Sequence, residues 1–207
     1  MSTLVFVTPA DSPDAVTLGN WCGTVRRRAQ ACGHKVVSLS GSAVTPAAVR
    51  GALGMHDACF YFGHGTWSTL QEASGLTLLD VTTSSASSGR SIVAVACQAA
   101  HTLGPSIVAA HSAKFFLGFD DDLIWVNGSP DVGQFEAAVA DGLDPLLSGL
   151  TAADARQGLE DGFERAFQHF KYGVPKSHPN RVLGYVFADW DKRHIALCLG
   201  SSPNTQL

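Results

Sequence analysis

The sequence predicts an α/β fold, a three-layer sandwich with a mostly parallel central sheet flanked by helices, and three observations lead there. Apolar runs at residues 4–7, 58–62, 91–96 and 114–119 lack the polar alternation of a half-exposed strand, so they read as strands covered on both faces, the habit of parallel sheets. Stretches of helical spacing alternate with these runs, which argues for right-handed crossovers between parallel strands. Of the 207 residues 45% are hydrophobic and 15% charged, which suits a single globular domain over residues 1–207 with a sizeable core.

The first run enters the turn-forming segment Thr8-Pro9-Ala10-Asp11-Ser12-Pro13, and residues 14–31 follow as a helix with Val16, Trp21, Val25 and Ala29 at helical spacing and Gly33 as its stop. Residues 35–39 form a second strand. Thr45-Pro46 opens a short helix that ends at Gly54, with proline in its favoured first position. After the run at 58–62, residues 66–70 and 76–79 predict a small hairpin around Ala73-Ser74-Gly75. The Ser/Thr-rich stretch 82–89 has nothing to build a core with and is expected to be an exposed lid or linker. Further helices are expected at 103–112, 132–147 and 151–170, the last with a good N-cap at Thr151. Residues 181–187 and 194–199 are expected to be strands closing one edge of the sheet, and residues 200–207 a flexible tail.

The formal net charge of -4, with Arg26-Arg27-Arg28 as the longest basic cluster, leaves no electrostatic footprint for nucleic acid. The start of the sequence lacks a charged segment leading into a long apolar one, and no apolar stretch reaches membrane-spanning length, so a cytoplasmic protein without a membrane span is expected. The five cysteines, Cys22, Cys32, Cys59, Cys97 and Cys198, form no CxxC pair, so neither a disulfide framework nor a zinc site is indicated and four of them are expected to be buried. No cofactor or metal is called for.

Two of the strands end in reactive side chains. The run at 58–62 is followed by Gly63-His64-Gly65, and the run at 91–96 by Cys97-Gln98. In open α/β sheets ligands bind beyond the carboxyl ends of the strands, so neighbouring strands ending in His and Cys would bring both groups to one crevice. A cysteine nucleophile needs an imidazole to take its proton and backbone N–H donors for the tetrahedral oxyanion. His64 is the candidate general acid and base, Cys97 the candidate nucleophile, and the Gly65 and Cys97 amides the candidate oxyanion hole. Asp57 is a weak candidate for orienting His64, His101 for a second imidazole, and Trp67 and Trp125 for lining a pocket.

Phe60-Tyr61-Phe62-Gly63-His64-Gly65 and Val93-Ala94-Val95-Ala96-Cys97-Gln98 together resemble the two signatures of the caspase-like cysteine peptidases, the group that includes caspases, gingipains and the bacterial CHAT domains. The resemblance runs from about Leu4 to Phe119. It implies a caspase-like fold and a cysteine endopeptidase in which His64 and Cys97 form a dyad that hydrolyses peptide bonds through an acyl-enzyme. The Gln before the nucleophile and the Gly two residues after it, both part of the true caspase signature, are missing here, and 33 residues separate His64 from Cys97 where caspases have about 50. Strict aspartate specificity is therefore not inherited, and the chain is closer to the gingipain and CHAT branches. In this fold the loops after the first strand and after the strand following the Cys line the specificity pocket. Here they carry Asp11 and Asp14, and Asp120, Asp121 and Asp122, so acidic walls built from Asp11, Asp120 and Asp122 imply cleavage after Arg or Lys. The substrate is then a protein or peptide, with control left to a regulatory partner or a homodimer. The competing expectation is a catalytically inactive caspase-like binding or regulatory module.

Overall fold

The computed structural model describes residues 1–128, 130–201 and 205–207. Six strands make the main sheet: β1 (Thr3–Thr8), β2 (Lys35–Ser40), β3 (Ala58–Phe62), β7 (Ser91–Val95), β8 (Phe115–Phe119) and β9 (Ile195–Leu199). Their order is β2-β1-β3-β7-β8-β9, with the first five parallel and β9 antiparallel to β8. A second, three-stranded sheet joins β4 (His64–Gly65), β5 (Thr69–Gln71) and β6 (Thr77–Asp80), so the expected hairpin has a third, short strand that begins at His64 itself.

Alternate residues of the main strands face opposite ways, as the period of two requires, and each face has its own core. Leu4 and Phe6 face helices α1 (Pro13–Ala31), α4 (Val132–Leu147) and α5 (Ala152–Gln168), joining Trp21, Val25, Phe135, Leu143 and Phe163. Val5 and Val7 face α2 (Pro46–Met55), α3 (Leu103–His111) and the small sheet, joining Val49, Leu53, Ile107, Leu70 and Leu78. That is the expected three-layer arrangement. The helix starts follow from their caps. Ser12 Oγ accepts the Ala15 N–H at the head of α1, Thr45 Oγ1 the Ala48 N–H at the head of α2, and Thr151 and Asp154 form a reciprocal capping box on α5.

Several expectations are corrected. Residues 181–187 are not a strand but the first half of a helix, α6 (Arg181–Arg193). Val182, Tyr185, Val186 and Phe187 mimic strand composition, yet the residues that turn inward are Gly184, Ala188 and Asp191, spaced at the helical period. Gly184 permits this packing, because a Cβ there would overlap the buried Phe170 ring. The 82–89 stretch is no lid. The Asp80 carboxylate accepts bonds from Thr82 and from both the amide and the hydroxyl of Thr83, and the following turn (Ser84–Ser87) buries Ser84 and Ser87. Small residues fit here because the turn packs closely, with Ala86 facing Gly54 of α2. Val16, expected on the inner face of α1, is 51% exposed, and the helix buries Ala15, Leu18 and Cys22 beside Trp21, Val25 and Ala29 instead. At the carboxyl end residues 202–204 of the expected flexible tail lie outside the described residues, whereas Thr205 is buried and its carbonyl accepts the Ala152 N–H.

Candidate active site

The register of β3 on β7 sets the geometry. Pairing runs from Ala58 with Ser91 to Phe62 with Val95, and His64 and Cys97 each follow that last pair by two residues. The two residues therefore stand equally far beyond the ends of adjacent strands, and no hydrogen bond joins their side chains, whose partners among the described residues are Ser12 for His64 and Leu123 for Cys97. Gly63 extends the ladder by one bond, N–H to the Val95 carbonyl at 3.3 Å. Beyond it the two backbones remain in contact: a Cβ on Gly65 would overlap the Cys97 carbonyl oxygen and stand 3.1 Å from the Ala96 Cβ. Only glycine lets the His-Gly segment lie flat on the Cys97 peptide.

His64 is held by hydrogen bonds. The buried Tyr61 hydroxyl lies 2.9 Å from the His64 carbonyl and 2.7 Å from that of Gln71, its single proton shared between them, which fixes the backbone of β4 to β5. On the imidazole, Nε2 lies 2.7 Å from Ser12 Oγ, the same oxygen that caps α1. Thr66 N–H donates to the Thr69 carbonyl at 2.9 Å, so by the alternation of an antiparallel ladder Gly65 opposite Leu70 is a non-bonded pair, and the Gly65 N–H points away from β5.

Cys97 is held by burial. Its Sγ, half-buried, has the Leu123 carbonyl oxygen at 3.8 Å. Burial pushes the thiol above its ordinary range; the Leu123 contact pulls it down, and the Asp122 and Asp191 carboxyls push it up. The next residue, Gln98, sits in the left-handed region at φ 58°, a sparsely populated conformation for a residue with a side chain. Two bonds hold it there: its N–H to the Asp121 carbonyl at 2.8 Å and its side-chain amide to Asp122 Oδ1 at 2.9 Å. The strand thus turns sharply at Cys97. Cys22 and Cys59 are buried, with thiols pushed up to about 12, and Cys198 is half-buried; Cys32, against expectation, is exposed at the end of α1.

The expected acidic wall is not assembled from Asp11, Asp120 and Asp122. Asp11 accepts the Ala73 N–H from the hairpin turn, Asp120 bonds His194 Nδ1 at 2.8 Å, and Asp122 is engaged by Gln98. Asp11 lines a separate cleft with Glu72, and Asp14 lines another. A cleft of about 190 Å³ is bounded by Asp14, Leu123, Ile124, Trp125, Asn127 and Phe187. Neither His64 nor Cys97 lines it; its link to them runs through Leu123, whose carbonyl oxygen lies 3.8 Å from Cys97 Sγ, and through Asp14, two residues along the chain from Ser12, the partner of His64. Trp125 thus lines a cleft as considered, resting edge-on against Trp21, while Trp67 stacks on His101 at 4.7 Å between centroids. Asp57 cannot orient His64. It sits at the amino-terminal edge of the sheet, bonded to the Thr3 amide and hydroxyl and facing Arg90. Among the described residues no group of three or more His, Cys, Asp or Glu side chains is placed to hold a metal ion.

Ser12 escapes sequence reasoning because a serine in the turn-forming segment 8–13 already has a full explanation as a turn residue. Tyr61 and Asp191 escape it too, since a tyrosine in a buried strand reads as core and an aspartate between two expected strands as solvated loop.

No protein-family model matches the sequence, and no curated protein is similar to it. Solved structures do match the fold. A secreted C11 cysteine protease from Bacteroides thetaiotaomicron, "iotapain", superposes with a TM-score of 0.54 at 8% identity, covering 99% of this chain and 90% of that one. Caspase-1 from Spodoptera frugiperda gives a TM-score of 0.48 at 10% identity over 96% of this chain and 85% of that one. The chain has the fold of the caspase-like cysteine peptidases.

Proposed function

We propose that the protein is a cysteine endopeptidase working through the dyad His64 and Cys97. The observation that carries this reading is the level register of the two strand ends, with Gly65 seated on the Cys97 peptide. In this mechanism Nε2–H of His64 donates to Ser12 Oγ, which leaves Nδ1 as the base. As Cys97 Sγ attacks the scissile carbonyl carbon, its proton passes to Nδ1, and the oxyanion is received by the Gly65 and Cys97 amides. The imidazolium then protonates the leaving amine, the C–N bond breaks and a thioester remains. Water, deprotonated by the same nitrogen, attacks the thioester and releases the acid and the Cys97 thiol.

Because burial keeps the resting thiol protonated, proton transfer accompanies attack and the pair is not a standing ion pair. The substrate residue before the scissile bond is basic. Leu123, Ile124, Trp125 and Phe187 suit an aliphatic stem, and Asp14 suits its cationic head, the task the sequence alone assigned to Asp11, Asp120 and Asp122. Protein or peptide substrates follow, and no described helix is long and apolar enough to cross a membrane.

The test is digestion of a mixed peptide library by wild type, Cys97→Ala and Asp14→Asn. Cleavage after Arg and Lys is expected from wild type, with a loss of at least about 10³-fold in Cys97→Ala and a weakened basic preference in Asp14→Asn. Equal products from wild type and Cys97→Ala would remove the dyad, and no cleavage by wild type would leave an inactive caspase-like binding module.

A further inference from the structure

The inner face of α6 runs Gly184, Ala188, Asp191, and the third of these positions calls for an apolar residue. Asp191 is fully buried there. Its Oδ1 accepts the Ile124 N–H at 3.0 Å, across 67 residues of sequence, and its Oδ2, equally buried, has no hydrogen-bond partner among the described residues. A carboxyl group left half-satisfied in a core is costly, and such costs collect where function requires them. What Asp191 grips is the loop between β8 and α4, which lacks regular structure around residues 122–127. Leu123, whose carbonyl faces the Cys97 thiol, immediately precedes the gripped amide, and Leu123, Ile124 and Trp125 form one wall of the cleft beside Asp14. The same helix supports this loop twice more, through Trp190 Nε1 donating to the Asp122 carbonyl at 3.0 Å and through Phe187 in the cleft wall.

From this geometry we infer that Asp191 is a positioning residue: by holding the Ile124 amide it fixes the Leu123 carbonyl against Cys97 and sets the cleft wall that receives the substrate side chain. The functional half of this statement rests on the peptidase reading; the mechanical half does not. The task needs only an acceptor, which the carboxyl supplies whether or not it is ionised. Burial raises the Asp191 carboxyl well above the usual carboxylate range, and an ionised Asp191 would make Cys97 harder to deprotonate. Asn in its place would keep the acceptor, whereas Ala would remove it and remain at ease in a helix.

Amide hydrogen exchange on the intact protein tests the mechanical half without any substrate. In wild type the Ile124 amide is expected to exchange at least about 100-fold more slowly than an unprotected amide although it lies in a loop. Asp191→Ala should remove that protection, and Asp191→Asn should restore it to within about threefold of wild type. An unprotected Ile124 amide in wild type overturns the inference, as does protection that survives in Asp191→Ala. Should the alanine variant fail to fold, the wild-type and asparagine measurements decide alone. On an arginyl peptide reporter Asp191→Ala should raise KM by about tenfold, more than it lowers kcat, with recovery in Asp191→Asn, a split that a purely structural role would not produce. A wild type that shows the protection but cleaves no reporter refutes the peptidase reading and leaves the positioning intact.

Discussion

The two ends of the site are secured by opposite means. His64 is held by polar contacts: a tyrosine hydroxyl on its carbonyl, a serine hydroxyl on its ring and a partner residue, Gln71, across a short ladder. Cys97 is held by enclosure, with one weak sulfur contact to a carbonyl and a strained residue after it. Directional bonds set an orientation, which a base needs because only one of its two ring nitrogens can take the proton. Enclosure sets a position but disfavours charge, so it yields a placed nucleophile that stays protonated until something stabilises the thiolate. If His64 and Cys97 act as proposed, the difference puts activation of the site in the encounter with substrate rather than in the resting protein.

Breaking the contact between the two ends should have the largest effect. Gly65→Ala places a methyl group where the Cys97 carbonyl oxygen and the Ala96 side chain already lie, so one of the two strand ends must shift. Displacing a catalytic group by about an ångström costs on the order of 100-fold in rate. We therefore expect kcat/KM to fall by about 100-fold or more in Gly65→Ala, measured on an arginyl reporter, with the far-UV circular dichroism unchanged. A variant as active as wild type would show that the two peptides need not touch.

How far these features were legible in the sequence follows from the same contrast. Strands β3 and β7 stood out because an apolar run bounded by small or polar residues has few other interpretations, and their terminal His-Gly and Ala-Cys dipeptides marked the candidate site. The polar clamp on His64 was illegible. Ser12 and His64 are 52 residues apart, and nothing local in either segment points to the other. The support behind Cys97 was lost for a different reason: β-branched and aromatic residues at 182–187 favour a strand, and only tertiary packing, with Gly184 against Phe170, decides for the helix that carries Asp191. The aspartate-bearing segments after β1 and β8 are loops as expected, but which of their aspartates face the cleft depends on partners, and Ala73 and His194 occupy the side chains of Asp11 and Asp120.

The enclosure of Cys97 makes a second, somewhat smaller prediction. Only the thiolate is alkylated, and a raised thiol pKa means less thiolate at neutral pH than an ordinary cysteine carries. With the free protein, the rate of Cys97 modification by iodoacetamide should therefore rise about tenfold per pH unit from neutrality and keep rising beyond the ordinary thiol midpoint, measured by peptide mapping. Cys22 and Cys59, buried and pushed up to about 12, should stay unmodified over the same range. A rate for Cys97 that is already level at neutral pH would mean a standing thiolate, and the contrast between an oriented base and a merely enclosed nucleophile would disappear.

The smallest effect belongs to Ser12, because its loss leaves the imidazole in place and removes only one of its constraints. Ser12→Ala takes away the Nε2 partner and the cap of α1 together. The cap is worth about 1 kcal/mol of stability, read as a lowered denaturation midpoint. The ring, free to adopt either tautomer and to rotate, should lose only severalfold in kcat, of the order expected for one neutral hydrogen bond of about 1 kcal/mol. The two losses can be separated. Ser12→Asp retains the cap, since aspartate is as good an N-cap as serine, but sets a carboxylate against the imidazole. An adjacent negative charge favours the imidazolium, so the acidic limb of the pH profile of kcat/KM should move to higher pH in Ser12→Asp while the stability stays near that of wild type. If Ser12→Asp leaves that limb where wild type has it, His64 is not the titrating base, and the bond between Ser12 and His64 serves the helix alone.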